Sequence, residues 1–261
     1  MRAWLVLAAL AGGLARGAAP AYSADSIVNG ANFAPGPFAP NSVVTVFGSN
    51  LAFGSAGLPP NQSAAAALPE QLSDARVYVD NMPAPLIYVS PTQINLLLPS
   101  NLKPGSFPLR VVRQGVTGPE VTVVLAGAAP QFFVLNGNYA IAQHGKDYSF
   151  VTPDSPAAPG EIIVIYATGL GATSPNPNPG EIPKYAGAIT SSLQLSLGGT
   201  PLSADHVFYA GLTPGSPGVY QINLLVPQGV SGDVEIRAVS GAQTSAPGVK
   251  LATQLSSGGA R

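Results

Sequence analysis

Apolar side chains along this chain alternate with a period of two or cluster in short solid runs, and no long stretch carries a capped 3.6-residue period. Val77 and Val79 alternate with polar or aromatic neighbours, as do Leu193, Leu195 and Leu197, the pattern of half-buried strands. Val43 to Phe47 and Ile162 to Tyr166 are β-branched-rich apolar runs that suit central strands. Asp80-Asn81 and Gly198-Gly199 stand where two-residue hairpin turns are needed. Arg110 to Val112 and Glu235 to Val239 supply a late strand on each side of the chain. Short strands separated by turns at this density predict an all-β fold of the sandwich type.

The same pattern occurs twice. Gln93-Ile94-Asn95-Leu96-Leu97-Leu98-Pro99 returns as Gln221-Ile222-Asn223-Leu224-Leu225-Val226-Pro227, at an offset of 128 residues. Pro40 to Phe47 matches Pro159 to Tyr166 at an offset of 119, and Leu86 to Val89 matches Val207 to Ala210 at 121. The late jump coincides with a Gly/Pro loop, Gly211 to Gly218. Ordered blocks with insertions confined to turns indicate tandem domains, because solenoid repeats are far shorter. The expected organisation is a signal peptide at 1–24, sandwiches at 25–130 and 131–253, and a flexible tail at 254–261.

The N-terminus supports that division. Arg2 precedes the apolar run Ala3 to Ala15, and small residues follow, with cleavage expected between Ala19 and Ala24. The run is too short to span a bilayer, and no later segment is longer, so the mature chain is expected to lack a membrane span. Loss of the leader removes Trp4, the single Trp. The chain has no Cys, which excludes disulfides, zinc-thiolate sites and Cys nucleophiles. Charged residues make up only 9% of 261 and the net charge is −1, so a nucleic-acid partner is not expected. The 30 Gly and 27 Pro fit a turn-rich globular chain, and no Gly-X-Y period points to collagen.

Longer stretches carry a resemblance. Pro85 to Asn95, Tyr209 to Gly215, Tyr220 to Asn223, Asn29 to Gly36 and Tyr166 to Gly171 resemble an uncharacterised, IPT/TIG-like domain family of secreted acidobacterial proteins, the Solibacter-type C-terminal domain. The resemblance covers about residues 26 to 250 and implies two tandem immunoglobulin-like β-sandwiches. It implies no activity, so it assigns no catalytic residue.

Local chemistry is sparse. Gln93 with Asn95, and Gln221 with Asn223, lie on one strand face by period-two geometry. They are expected to be structural polar pairs that bond loop or neighbouring-strand backbone, with a polar ligand site as the alternative. His144 and His206 each have an Asp near in sequence, Asp147 and Asp205, but no ligand set at metal spacing. Asp147 and Asp154 fall short of a calcium loop, and no Gly-x-Ser-x-Gly elbow or Ser/His/acid partner set is evident. No catalytic, metal or cofactor residue is therefore assigned. Two charge-poor inserts, Ala52 to Gln71 and Gly171 to Thr190, fall between the same strands of each copy and mark a possible partner surface, with Tyr139 and Tyr185 nearest to irregular segments. The expected role is a non-enzymatic, secreted or cell-surface interaction or adhesion module. Its expected partner is an extracellular or cell-envelope protein or glycan. A carbohydrate-binding module and a β-sandwich hydrolase are the alternatives.

Overall fold

The computed structural model describes residues 17–58, 66–135 and 138–255. Most of the expected leader, residues 1–16, and the tail beyond Leu255 lie outside the described residues. The chain is all-β, with two immunoglobulin-like β-sandwiches in tandem. Among the described residues no helix is long and apolar enough to cross a membrane.

In the first sandwich one sheet runs Ile27–Asn29, Val43–Phe47, Gln93–Leu97, Leu86–Val89, Ala56–Gly57. The facing sheet runs Val121–Leu125, Gly105–Arg113, Ala75–Val79, Met82–Ala84. Val44, Val46, Ile94 and Leu96 of the first sheet and Val77, Val79, Leu109 and Val111 of the second are buried in one core. Residues between them in sequence face outward, as period two requires. The second sandwich repeats this plan around Ile163, Ile165, Ile222, Leu224, Leu195, Leu197 and Ile236. Both hairpin turns form where expected, with positive φ at Asp80 (49°), Asn81 (62°), Gly198 (55°) and Gly199 (82°). Two consecutive left-handed residues give the turn whose twist matches the flanking strands.

The first sandwich begins earlier than residue 25. Ala21 bridges Ser49, just as Gln131 pairs with Thr168 in the second copy, so the segment before Tyr22 is the counterpart of the Gln131–Phe132 strand. The Tyr22 hydroxyl accepts from the Val111 N–H at 2.7 Å and donates to the Pro119 carbonyl at 2.5 Å. Arg113 Nη2 donates to the Ala18 carbonyl at 2.5 Å. At the other end Gln254 is also held, its N–H donating to Ala157 O at 2.9 Å.

The two sandwiches are joined by a dense polar and apolar junction. The Thr168 hydroxyl, fully buried, accepts from the Val43 N–H at 3.1 Å and donates to Gly218 O at 2.7 Å. The buried Tyr220 hydroxyl donates to Gly171 O at 2.7 Å and accepts from Asn41 Nδ2 at 3.4 Å. Gly218 sits so close to the first sandwich that a Cβ there would lie 2.3 Å from Leu97 Cδ1. Val43, Leu97 and Leu68 form a small cluster with Ile87 and Leu58 of the same sandwich and Phe133 of the next.

The two inserts, expected as a free partner surface, instead meet each other here. Leu68 N–H donates to Gly180 O at 2.8 Å, Ile182 N–H to Ala66 O at 3.0 Å, and Ser100 Oγ to Pro177 O at 2.7 Å. Their low charge follows from this, since a charged insert folded against a neighbouring sandwich carries a desolvation cost.

The junction gives Tyr220 a distinctive alkaline signature. Burial pushes its pKa up to about 12, against a smaller lowering by the Asn41 bond. The unfolded chain ionises this group near pH 10. Its contribution is therefore complete below pH 10 and is lost as pH rises from there through about 12. Tyr220→Phe is expected to cost about 1–2 kcal/mol at neutral pH, because Gly171 O loses its donor. It should also flatten the fall in Tm between pH 10 and 12; parallel thermal melts of the two proteins check this, and equal slopes would refute it.

Candidate binding site: a repeated aromatic and amide face

The outward face of the Gln-x-Asn strand is built identically in both sandwiches. Gln93 Nε2 donates to Asn95 Oδ1 at 2.8 Å, and Gln221 Nε2 to Asn223 Oδ1 at 3.1 Å. Thr45 Oγ1 adds a second bond to Asn95 Oδ1 at 3.1 Å. The amides therefore bond each other and a neighbouring hydroxyl; they do not hold backbone. The loop before the first strand is fixed by Ser90, whose Oγ accepts from the Gln93 N–H at 2.9 Å and donates to Gln93 O at 3.2 Å. Among the described residues each pair leaves the Gln carbonyl oxygen and the Asn NH2 without a protein partner. Each half-buried pair thus presents one acceptor and one donor to an incoming group.

Aromatic side chains flank these amides at matched register. Phe47 pairs across from Gln93 and Tyr166 from Gln221. Tyr88 pairs with Asn95 and Tyr209 with Asn223, each beside a break in register. A third aromatic completes each set from a tight turn. Phe33 and Tyr148 both have φ of 59° and are 58% and 65% exposed. A bulky residue in the left-handed region costs energy and persists only where the surroundings impose it.

The surroundings are the same four bonds in each copy. Phe33 N–H donates to Asn29 O and Tyr148 N–H to His144 O, both at 2.9 Å. Asn29 N–H reaches Ala34 O and His144 N–H reaches Ser149 O. Gly30 and Gly145 donate to Val43 O and Ile162 O, at an approach so close that a Cβ at either would fall 2.6 Å from Val43 Cγ1 or Ile162 O. Asn32 Oδ1 accepts from Ala34 N–H at 3.1 Å, and Asp147 Oδ1 from Ser149 N–H at 3.0 Å. Sequence reasoning missed this motif, since only Gly is identical between Asn29-Gly30-Ala31-Asn32-Phe33 and His144-Gly145-Lys146-Asp147-Tyr148. The shared signal was a Gly followed two residues later by Asn or Asp and then an aromatic.

The rings are brought together. Phe33 and Phe47 have centroids 5.6 Å apart at 59°. In the second copy Gln143 links the two tyrosines, accepting from Tyr166 OH at 2.6 Å and donating to Tyr148 O at 2.7 Å. Burial, and then the neighbouring Tyr148, raise the Tyr166 pKa. Asp147, the one carboxylate in the motif, accepts from Ser149 Oγ and N–H, and these bonds lower its pKa and hold it ionised.

The histidines are placed elsewhere. His206 bonds Ser203 Oγ at 2.9 Å and lies 3.3 Å from Asp205, whose pKa is lowered chiefly by Ser203. His144 is buried, and here the structure departs from the sequence reading, which found no Ser/His/acid set. Its Nδ1 lies 2.6 Å from Glu161 Oε1 and its Nε2 3.2 Å from Ser155 Oγ.

These are the distances of a nucleophile, base and orienting acid. Nε2 also faces the Ser155 carbonyl oxygen at 3.1 Å, which can only accept. Nε2 thus lies between the Ser155 hydroxyl and carbonyl, while Nδ1 lies against the Glu161 carboxylate. The Ser155 N–H is already given to Thr152 O and Oγ1, both at 3.0 Å, so it is not free as an oxyanion donor. The set acts as a clasp that ties the 152–155 turn to the sheet. Among the described residues no group of three or more His, Asp or Glu could hold a metal ion. Tyr139 donates to Asp233 Oδ2, which raises its pKa, and Tyr185 stands 79% exposed beside the junction.

With this geometry established, the molecule belongs to the class of immunoglobulin-like sandwiches in tandem. Residues 27–126 match the model of the IPT/TIG domain, so the first sandwich is an IPT/TIG-like domain. No curated protein matches the chain. Among solved structures, the Bacteroides ovatus mixed-linkage glucan utilization locus protein SGBP-B, in complex with a mixed-linkage heptasaccharide, is 12% identical over 84% of this chain and 42% of its own, with a TM-score of 0.33. The plexin A4 extracellular region is 14% identical over 84% of this chain and 17% of its own, at TM-score 0.26. Domains 5–6 of the S-layer protein SbsC are 11% identical over 91% and 99%, also at 0.26. The chain thus spans less than half the length of the first two. At these scores the likenesses add nothing to the fold read from the strands.

The clasp separates two roles by mutation. Ser155→Ala should leave stability within about 0.5 kcal/mol, since Nε2 keeps its carbonyl partner. His144→Ala, which strips Glu161 of a buried partner, should cost about 2–4 kcal/mol in urea unfolding. Equal losses in the two variants would show that the hydroxyl carries the clasp.

Proposed function

We propose that the chain is an exported, non-enzymatic binding module that holds a neutral glycan of the cell envelope or its surroundings on the aromatic and amide face of each sandwich. The observation that carries this is the pair of unused groups, one acceptor and one donor, fixed between aromatic rings at the same positions twice. A sugar offers vicinal hydroxyls that donate and accept, and C–H faces that lie on aromatic rings. The rings and amides are uncharged and the carboxylate beside them, Asp147, is taken up by Ser149, which suits a neutral polyhydroxylated chain better than an anionic one. Two sandwiches held by a packed junction would present two such faces at a fixed separation, so a long chain bound at both gains by effective concentration.

Affinity electrophoresis through gels containing neutral polysaccharides, followed by calorimetry on any that retard the protein, tests this reading. At least one should retard the wild type. Gln221→Leu and Tyr166→Ala should each weaken binding about 10-fold or more. The combined change with Gln93→Leu should abolish it. Absence of retardation by every neutral polysaccharide tried would sink the glycan assignment.

Export is part of the same proposal and rests on the Arg2 to Ala15 pattern. Because Ala21 and Tyr22 belong to the first sandwich, cleavage is expected at the N-terminal end of the 19–24 window, leaving both on the mature chain. Intact-mass measurement of the exported protein decides it: a mature chain starting after Tyr22 would contradict the strand assignment.

A further inference from the structure

The junction patch of the first sandwich has a counterpart on the second that stays open among the described residues. Val43, Ile87 and Leu97 cluster under the second sandwich, with Val43 8% and Leu97 0% exposed. The equivalent register positions in the second sandwich are Ile162, Phe208 and Leu225. Ile162 pairs with Leu225 as Val43 pairs with Leu97. Phe208 sits in the register break between Val207 and Tyr209, as Ile87 sits between Leu86 and Tyr88. All three remain apolar, yet Ile162 is 45% and Phe208 60% exposed and Leu225 is only half-buried. None of the three is charged, and exposed apolar clusters of this kind mark interaction surfaces.

We propose that this bare patch receives the first sandwich of a second copy of the chain, with Ser49 turned to the patch as Thr168 is turned to the patch in the existing junction. The occupant follows from continuity with the junction already formed. There the patch is covered by Thr168, Gly218 and Phe133. On the first sandwich the position of Thr168 is filled by Ser49, which bridges Ala21 as Thr168 pairs with Gln131. Ser49 keeps the hydroxyl that accepts a strand N–H in the existing junction, and it is exposed. Phe53, 57% exposed, lies four residues beyond it. The two ends are different surfaces, so the contact is head-to-tail and does not close on itself, giving chains of increasing length.

Sedimentation velocity on the purified chain tests this from about 1 µM to about 1 mM, where weak interfaces associate. The weight-average mass of the wild type should climb past that of a dimer at the upper end. Ile162→Asp with Phe208→Asp should weaken association about 10-fold or more, and so should Ser49→Arg at the opposite end. All three positions are exposed, so the variants should keep the wild-type Tm. An equimolar mixture of the two variants retains one live surface of each kind and should form dimers but nothing larger. A wild type that stays monomeric throughout, association unchanged in the Phe208 variant, or a mixture that forms no dimers would each overturn the proposal. None of these outcomes bears on glycan binding, which uses the Tyr166 and Gln221 end of the sheet.

Discussion

One hydroxyl group sets the relation between the two halves of this molecule. Thr168 Oγ1 has one proton to donate and gives it to Gly218 O; its lone pair then receives the Val43 N–H from the other sandwich. Both partners are backbone groups, and neither can turn away to find water once the surfaces close. A valine in place of Thr168 would preserve the shape and strand two buried polar groups, a cost of about 1–3 kcal/mol for each. The close approach also depends on Gly218, because a side chain there would occupy the space filled by Leu97 and Val43. Hydrogen-bond direction and glycine geometry act together: the hydroxyl selects the orientation and the missing Cβ lets the sheets approach closely enough to reach it.

The same backbone frame carries different chemistry at equivalent positions. At the end of the first turn strand, Asn29 is buried and its Oδ1 caps the Ala31 N–H. Its counterpart, His144, is buried too, but spans outward to Glu161 and Ser155. Both residues satisfy a polar side chain within a sheet interior, and each does so with partners its neighbour lacks. The left-handed aromatics, by contrast, are alike in conformation, exposure and support. Backbone strain of that kind is disfavoured unless the geometry serves something outside the turn. That contrast separates the interior, which each copy has solved independently, from the outward face, which both have kept.

Much of the fold was legible in the chain itself. Solid apolar runs located the central strands, period-two alternation the half-buried ones, and the blocks around Gln93 and Gln221 aligned the copies. The hairpin turns were legible because few residues tolerate consecutive left-handed conformations. Other features were hidden for physical reasons. The strand before Tyr22 is short, lies next to an apolar leader, and is recognisable only by its pairing with Ser49. The meeting of Leu68 with Gly180 joins residues 112 apart through backbone groups, which carry no side-chain signature. The Ser155, His144 and Glu161 set spans only 17 residues, yet it is assembled by a turn and a strand pairing that no motif encodes. The amide pairs were visible as residues, but their mutual bond and unused ends depend on rotamers.

Scarcity of charge connects these observations. A sandwich without disulfides must rely on burial, and here burial extends past each core into the junction and the inserts, which charged side chains would have kept apart. Extending the apolar surface that far has a structural consequence on the second sandwich. The first sandwich hides Val43, Ile87 and Leu97 because another sandwich follows it, whereas the second displays Ile162, Phe208 and Leu225 at the same register. A sandwich freed of any partner would gain solubility from polar residues at those positions, as capping repeats do in other arrays. The retained isoleucine, phenylalanine and leucine are what a module of an extendable array requires, since each internal member must offer the surface on which the next one rests.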